Sequence, residues 1–182
     1  MARRDGDAWR EVRRRNREWL APWEATSPFG PPGDVAYKQL LKRLNAGARR
    51  GELMPLALTY DDRFVGQLTV ANIVWGSACV ATIGYWVDRD VAGRGVMPTA
   101  VAMVTDHCFR TVGLHRIEVN IRPENTASLR VVEKLGFRDE GVRSRLLHIN
   151  GDWSDHRSYA LTAEEIPDGL LARWRAAQAD AP

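Results

Sequence analysis

The sequence predicts a single domain with a mixed α/β layer fold. Its 182 residues are enough for one hydrophobic core and too few for two well-cored domains. Hydrophobic residues make up 45% of the chain and charged residues 27%, which is typical of a globular protein rather than a disordered one. The predicted elements run as two helices, three strands, a helix, a strand, a helix and a hairpin, and this order indicates a sheet layered with helices. We therefore treat residues 1–182 as one domain.

Two amphipathic helices are predicted before the first strand. Between Asp7 and Leu20, apolar residues recur at helical spacing while arginines fill the other face, and Pro22 ends the pattern. After the breaker-rich stretch TSPFGPPGD, Asp34 is placed to cap a second helix that ends near Gly47.

The middle of the chain predicts a meander of strands and then a helix. Runs of β-branched and aromatic residues predict strands at 54–60, 64–74 and 79–87, joined by the turns DDR and WGS as antiparallel neighbours. The helix that follows has Pro98 at its first position and Gly113 as its stop signal.

The last third of the chain alternates between the two types of element. Gly136 ends a short helix here, and Thr162 with Glu165 forms a possible capping box for the final helix. The predicted elements are a strand at 115–122, a helix at 125–135, strands at 143–149 and 156–162, and a helix at 166–178.

Charge and cysteine usage restrict the class of protein. Lys and Arg exceed Asp and Glu only by 26 to 23, so the chain as a whole is not a strongly cationic binder, although its first helix has a basic face. Cys79 and Cys108 stand alone in apolar surroundings, which predicts core thiols in a reducing compartment and no metal site. No apolar run approaches a membrane span or a signal peptide, so we expect a cytoplasmic protein with no membrane partner.

The turn AGRGVM, Ala92 to Met97, lies between a predicted strand and a predicted helix. Such a turn directs backbone N–H groups and the positive end of the helix at one point, which suits a phosphate. The turn has neither the third glycine of a dinucleotide fingerprint nor the lysine of a P-loop. From these residues alone, a phosphate cradle and a plain turn that begins a helix remain equally open.

Further motifs in a fixed order give the chain a family resemblance. The strand IGYWVD, the turn AGRGVM, the strand HRIEV, the segment RPENTASLRVVEKLGF and the terminal pattern LLHINGDWSDHRSYALT resemble the GNAT family of acetyl-CoA-dependent N-acetyltransferases. The chain looks most like the RimJ/RimL branch, which acetylates the N-termini of ribosomal proteins, and like RimJ sequences in particular. The resemblance covers about residues 9 to 162.

The resemblance implies how acetyl-CoA is bound. It implies a mostly antiparallel sheet, with helices on both faces, that splays between the IGYWV and HRIEV strands so that pantetheine pairs with the free edge near Val87. Ala92 and Met97 depart from the family pattern of the pyrophosphate turn, and Pro98 offers no N–H. Most members begin with a strand that has no counterpart here, so the sheet has one strand fewer or the sequence is part of a longer chain. The implied cofactor-binding residues are Tyr85, Trp86, Val87, Gly93, Arg94, Gly95, Val96, Met97 and Asn125.

The resemblance also implies catalytic residues. Many members place a tyrosine seven residues after the motif asparagine Asn125 to protonate the leaving thiolate, but this sequence has Val132 there. The resemblance transfers that role to Ser128, with Asn125 as a contact of pantetheine or the thiol, although these two residues are also typical of a plain helix cap and first turn. Asn120 stands where some members have a general base, and Glu118 on the same strand face is a candidate base acting through water or a simple surface charge.

The resemblance places an acceptor cleft beside the last hairpin. Asp155 in the pattern WSDH is expected to hold an ammonium group, and one of the aromatic residues Tyr85, Trp86 or Trp153 to form a wall of a peptide groove. Asn16, Trp19, Pro22 and Trp23 are expected on the opposite lip. The predicted substrate-binding residues are therefore Trp19, Asn120, Trp153 and Asp155.

The function implied is direct transfer of acetyl from acetyl-CoA to the N-terminal α-amino group of a ribosomal protein or a similar protein, without a covalent enzyme intermediate and without a metal. A small amine such as an antibiotic or polyamine is the alternative acceptor. A third hypothesis is a ribosome- or RNA-binding module with a vestigial CoA site, in which the basic first helix contacts RNA. The sequence leaves open whether the protein is a monomer or a homodimer.

Overall fold

The computed structural model describes residues 1–30 and 36–179. Its helices are α1 (Gly6–Arg15), α2 (Arg17–Leu20), α3 (Tyr37–Arg49), α4 (Val96–His107), α5 (Thr126–Leu135) and α6 (Leu170–Ala179). Its strands are β1 (Met54–Tyr60), β2 (Arg63–Val74), β3 (Val80–Val87), β4 (Arg116–Ile121), β5 (Arg138–Ile149) and β6 (Asp152–Thr162). The predicted α/β fold and every predicted strand are confirmed. Asp34, the predicted cap of the second helix, lies outside the described residues.

The six strands form one mixed sheet in the order β1-β2-β3-β4-β6-β5. All neighbouring strands are antiparallel except β3 and β4, which are parallel and pair over only three residues, the last being Thr82 with Glu118. Helices α4, α5 and α6 pack against one another over the main core, whereas α1 packs on β2 and α3 on β1. In the described residues no strand precedes α1.

The helix predicted over residues 7–20 is broken at Asn16. Its backbone leaves the helical region, with φ −100° and ψ 11°, and its side-chain amide donates to the carbonyl of Val12 at 2.9 Å and to Asp88 at 2.8 Å. A side chain that bonds the preceding turn competes with the helical ladder. The break is therefore a consequence of tertiary contacts, which helical periodicity does not report.

Two other predicted helix starts were wrong. Helix α4 begins at Val96 and not at Pro98, because proline is tolerated throughout the first turn, where N–H groups have no intrahelical acceptor. The box of Thr162 and Glu165 caps a separate 3₁₀ turn, Ala163–Glu165. Helix α6 begins only at Leu170, whose N–H donates to the carboxylate of Asp106 at 2.6 Å.

The two cysteines differ. Cys108 is fully buried, and burial raises the pKa of its thiol to about 11, as expected of an inert core residue. Cys79 is only half-buried, at the end of the β2–β3 hairpin, where its thiol lies 3.2 Å from the carbonyl of Gly76. The prediction of a core thiol is thus wrong for Cys79, because a strand-end residue reaches the surface at the turn.

Candidate active site

A large cleft opens where β3 and β4 diverge. Beyond the pair Thr82 and Glu118 the two strands have no ladder hydrogen bonds, so residues 83–87 of β3 and 119–121 of β4 spread apart. The cleft has a volume of about 2020 Å³ and is lined from both faces of the sheet. This confirms the splayed sheet that the family resemblance implied.

One end of the cleft is a row of backbone N–H groups at the start of α4. Gly93 and Gly95 have φ of +80° and +78°, a conformation that favours glycine. The first intrahelical bond runs from the Thr99 N–H to the Gly95 carbonyl at 3.1 Å, so the N–H groups of Gly95, Val96 and Met97 precede the ladder. Together with the positive end of α4, these groups suit an anion such as a diphosphate.

The space in front of this cradle is open. A Cβ built on Gly93 has no heavy atom within 4 Å, and Gly93, Gly95, Val96 and Met97 all line the cleft. Arg94 does not line it, and its exposed side chain adds charge only at the margin. The diphosphate contact predicted for this turn therefore falls to its backbone.

Alternate residues of β3 face opposite sides of the sheet. Tyr85 points to α5, where its hydroxyl lies 3.5 Å from the Ser128 carbonyl, while the Trp86 ring faces α1 with the Arg13 guanidinium 5.3 Å from its centroid. Burial raises the pKa of the Tyr85 phenol, so this group stays neutral and serves as a hydrogen-bond donor. With Val87, both residues line the cleft, and their contact with CoA stays a prediction.

The start of α5 forms the facing wall. The Asn125 side chain caps the helix by accepting a hydrogen bond from the Ser128 N–H at 3.1 Å, and both residues line the cleft. Capping fixes the backbone of the first turn, in which Ser128 lies three residues beyond the cap. Val132 is fully buried in the core, so no side chain from that position reaches the cleft.

Glu118 lies in the cleft but both of its carboxylate oxygens are occupied. One accepts a hydrogen bond from Arg116 Nε at 2.8 Å and the other from Arg143 Nη2 at 3.0 Å. Arg116 also pairs with Glu140, which lowers the pKa of Glu140 to about 2. Glu118 is thus one member of a chain of ion pairs across β4 and β5, a partnership that the sequence did not reveal.

Asn120 and Trp19, two of the predicted acceptor contacts, also line the cleft. Asn120 accepts a hydrogen bond from the Ser158 hydroxyl at 2.6 Å across the β4–β6 pair. Trp19 packs beneath the Arg89 guanidinium, which lies 5.6 Å from its ring centroid. Trp23 and Glu24, which follow α2, lie on the same lip.

Trp153 and Asp155 do not line the cleft. The Trp153 ring packs edge-on against His148, with centroids 5.7 Å apart, and the Asp155 carboxylate accepts the Arg145 N–H at 2.7 Å. Both side chains belong to the distal part of the β5–β6 hairpin, and the hairpin residues on the cleft are instead Arg143, Leu146 and Leu147.

Asn16 was expected on the acceptor lip but is buried beneath it. Its side chain donates to the buried carboxylate of Asp88 and accepts the Arg89 N–H at 3.0 Å, while Arg15 pairs with the same carboxylate. Burial raises the pKa of Asp88, but hydrogen bonds from Arg15 and Asn16 outweigh it, so the net pKa is lowered. Asp88 with Arg15 and Asn16 forms an anchor that connects the lip to the end of β3. In the sequence, the only sign of this anchor is the position of Asp88 directly after the predicted strand.

The described part of the chain contains no group of three His, Cys, Asp or Glu side chains that could hold a metal ion. In the same residues, no helix has both the length and the apolar character needed to cross a bilayer.

Comparison with known proteins agrees with this geometry. Residues 3–138 match the family model described as an acetyltransferase (GNAT) domain. The chain is 30% identical to the [ribosomal protein uS5]-alanine N-acetyltransferase of Escherichia coli (strain K12) over 169 residues, covering 91% of this chain and 87% of that protein. It is 42% identical to the probable N-acetyltransferase YjcK of Bacillus subtilis (strain 168) over 101 residues, which span 56% of each protein.

Among solved structures, Mycobacterium smegmatis RimJ in complex with CoA-disulfide superposes with a TM-score of 0.93 at 40% identity. The match covers 98% of this chain and 87% of that one.

Proposed function

The chain belongs to the GNAT acetyltransferase family, and we propose that it transfers an acetyl group from acetyl-CoA to the N-terminal α-amino group of a protein. The observation that carries this proposal is the single cleft that contains both the backbone cradle of α4 and the capped turn of α5, at the point where β3 loses its partner. A cradle for a diphosphate, a free strand edge and a hydroxyl in one cleft fit the phosphate, pantetheine and thiol parts of CoA. When bound, acetyl-CoA supplies the activated acyl group.

We propose that the protein substrate is a ribosomal protein. Support comes from the relatives, since the matched Escherichia coli enzyme is named for alanine acetylation of ribosomal protein uS5. The large cleft also favours the terminus of a protein chain as the acceptor. A small amine would be bound better in an enclosed acidic pocket.

In the proposed mechanism the chain's residues position groups and move one proton. The free edge of β3, with the Val87 N–H at its end, orients the thioester and stabilises charge on its oxygen. The Ser128 hydroxyl donates a proton to the departing thiolate and regains one through water from the acetylated amine. The Asn125 side chain holds the backbone at this position by accepting the Ser128 N–H. Direct attack by the amine needs no enzyme nucleophile, and the buried Cys108 is unsuited to act as one.

Removal of the proton from the amine is assigned to water. Both oxygens of Glu118 already accept guanidinium hydrogen bonds, which leaves this carboxylate poorly placed to take a proton. An α-amino group has a pKa of about 8, so part of it is already neutral at physiological pH. A direct or water-relayed catalytic role for Glu118 stays a prediction that a variant can test.

The decisive experiment is incubation with acetyl-CoA and a library of peptides that differ in their first residue, analysed by mass spectrometry. We expect a mass increase of one acetyl group on peptides that begin with a small residue, located on the α-amine. Intact CoA binding with no acetylated peptide would refute the peptide assignment. Acetylation of lysine side chains alone, or of small amines alone, would show that these groups and not the α-amine are the acceptor.

A further inference from the structure

The charges that line the cleft are unevenly distributed. Eight basic and three acidic side chains line it: Arg10, Arg13, Arg14, Arg17, Arg43, Arg130, Lys134 and Arg143 against Glu24, Glu118 and Glu124. Each of the three carboxylates pairs with an arginine: Glu24 with Arg13, Glu118 with Arg116 and Arg143, and Glu124 with Arg122. The acidic residues are therefore already neutralised, and the surplus of positive charge is directed to whatever enters the cleft.

Four of these cations form a group that we call the arginine rim: Arg10, Arg14, Arg17 and Arg43. All four are exposed and come from α1, α2 and α3. Arg10 and Arg14 make only exposed i,i+3 pairs with Asp7 and Glu11, which contribute little and exchange readily with a ligand. Arg17 and Arg43 make no ion pair with any residue that the structure describes.

The arginine rim lies on the side of the sheet away from the phosphate cradle. Trp9 of α1 donates through its indole N–H to Gln67 of β2 at 3.3 Å, whereas the neighbouring Leu68 is buried in the core with the residues of α4. Because successive strand residues face opposite sides, α1 and α4 lie on opposite faces. The charge of the rim is thus directed to the acceptor side of the cleft and not to the phosphates of CoA.

We infer that the preferred acceptor is an N-terminus with acidic residues shortly after its first residue, which the arginine rim attracts and holds. This inference rests on the proposed function and names its substrate class. An acidic peptide is favoured over RNA because the rim arginines line the same cleft as Ser128, where the amine must arrive. The carboxylates that follow the reacting residue replace the exposed partners of Arg10 and Arg14 and meet Arg17 and Arg43.

The test compares three peptides that share a first alanine and differ at their second to fourth residues, which are acidic, neutral or basic. Exposed charge pairs each change an affinity only a few-fold, so two of them correspond to about a tenfold higher kcat/KM for the acidic peptide. The gain is expected mainly in KM and is expected to shrink as salt is raised. Calorimetric titration of each of the three peptides into the CoA complex is expected to give the same order of affinity without turnover.

The double variant Arg17→Glu/Arg43→Glu is expected to remove or reverse the preference among the three peptides. Arg49→Glu is the matched control, since Arg49 lies on α3 as Arg43 does, is exposed and does not line the cleft. Equal kcat/KM for the three peptides overturns the inference and leaves the proposed function standing. Acetylation of none of them overturns the proposed function. Loss of RNA binding in the double variant, with the peptide preference unchanged, assigns the rim to nucleic acid and also overturns the inference.

Discussion

The buried anchor at Asp88 leads us to predict that one substitution changes both the stability of the protein and its binding of the cofactor. The Asp88 side chain is 2% exposed and accepts hydrogen bonds from Arg15 and from Asn16, the latter at 2.8 Å. Substitution Asp88→Asn keeps the size of the side chain and removes its charge. The Arg15 guanidinium then loses its partner, although its 40% exposure lets water replace part of the lost interaction.

The expected loss of unfolding free energy is about 2 kcal/mol. Removing one partner of a fully buried ion pair costs about 3–5 kcal/mol, and the exposure of Arg15 reduces that figure. For a domain of this size the loss corresponds to a fall in Tm of about 4–8 °C. Asp90→Asn is the matched control, because Asp90 lies two residues further along, is exposed and loses the same charge. Its Tm is expected to stay within about 1 °C of the parent.

The pH dependence of this difference has a definite sign. The pKa of Asp88 is lowered in the folded protein, so its contribution to stability is present above the ordinary aspartate pKa of about 3.9 and is lost as pH falls through the folded value. The Tm difference between the parent and Asp88→Asn should therefore be largest near neutral pH and shrink below about pH 4. A difference that is constant from pH 7 to pH 3, or a Tm unchanged at pH 7, would refute the reasoning.

Asp88 also accepts the Asp90 N–H at 3.4 Å and so begins the turn that leads into the phosphate cradle. Loss of the carboxylate is expected to loosen that turn and to reduce the increase in Tm that saturating CoA produces. The Asp90→Asn control should keep the full increase.

Three further predictions test the catalytic half of the cleft. Ser128→Ala should lower kcat about 10²-fold with little change in CoA affinity, whereas Thr126→Ala in the same turn should not, as steady-state kinetics and calorimetry can check. Gly93→Ala should weaken CoA binding about tenfold, because a residue with a side chain adopts φ of +80° only at a cost of about 1–2 kcal/mol. Gly76→Ala is the control: Gly76 has φ of +76° and open space around it, so this variant should lose stability but keep CoA affinity. Glu118→Gln should leave the rise of kcat/KM towards the α-amine pKa in place; a shifted or flattened pH profile would instead make Glu118 the base.

The fold was predictable where local pattern and tertiary structure agree. The strand β1 occupies the same residues, 54–60, that its alternation predicted, and Gly136 ends α5 with a left-handed φ of 70°. Gly113, with φ of 84°, ends the π-helical segment Cys108–Val112 that follows α4. The break at Asn16 was not predictable, because its cause is a carboxylate 72 positions away in the sequence. The late start of α6 has a similar cause, since the cap of Leu170 comes from Asp106 on α4.

The two halves of the candidate site also differ in how far they could be predicted from the sequence. The half that we propose binds the cofactor is made largely of backbone, so it left a compact sequence signature in AGRGVM and in the segment around Asn125 and Ser128. The acceptor half is made of side chains from distant segments, and its carboxylates are defined by arginine partners that no local motif contains. The pairing of Glu118 with Arg143, separated by 25 positions, is one example. Sequence patterns therefore located the turn that leads into α4, but they placed Trp153 and Asp155 on a cleft that these residues do not line.

Strand β3 connects these two halves physically. Its Trp86 ring lies against Arg13, which pairs with Glu24 on the acceptor lip, while Tyr85 on the opposite face reaches α5. At the end of the strand, Asp88 fixes the break between α1 and α2 and begins the turn into the cradle. A displacement of the lip must then alter the same strand end that positions the thioester in the proposed mechanism. Substitutions in the anchor should for this reason change peptide KM and CoA affinity together, whereas changes in the arginine rim should affect the peptide alone.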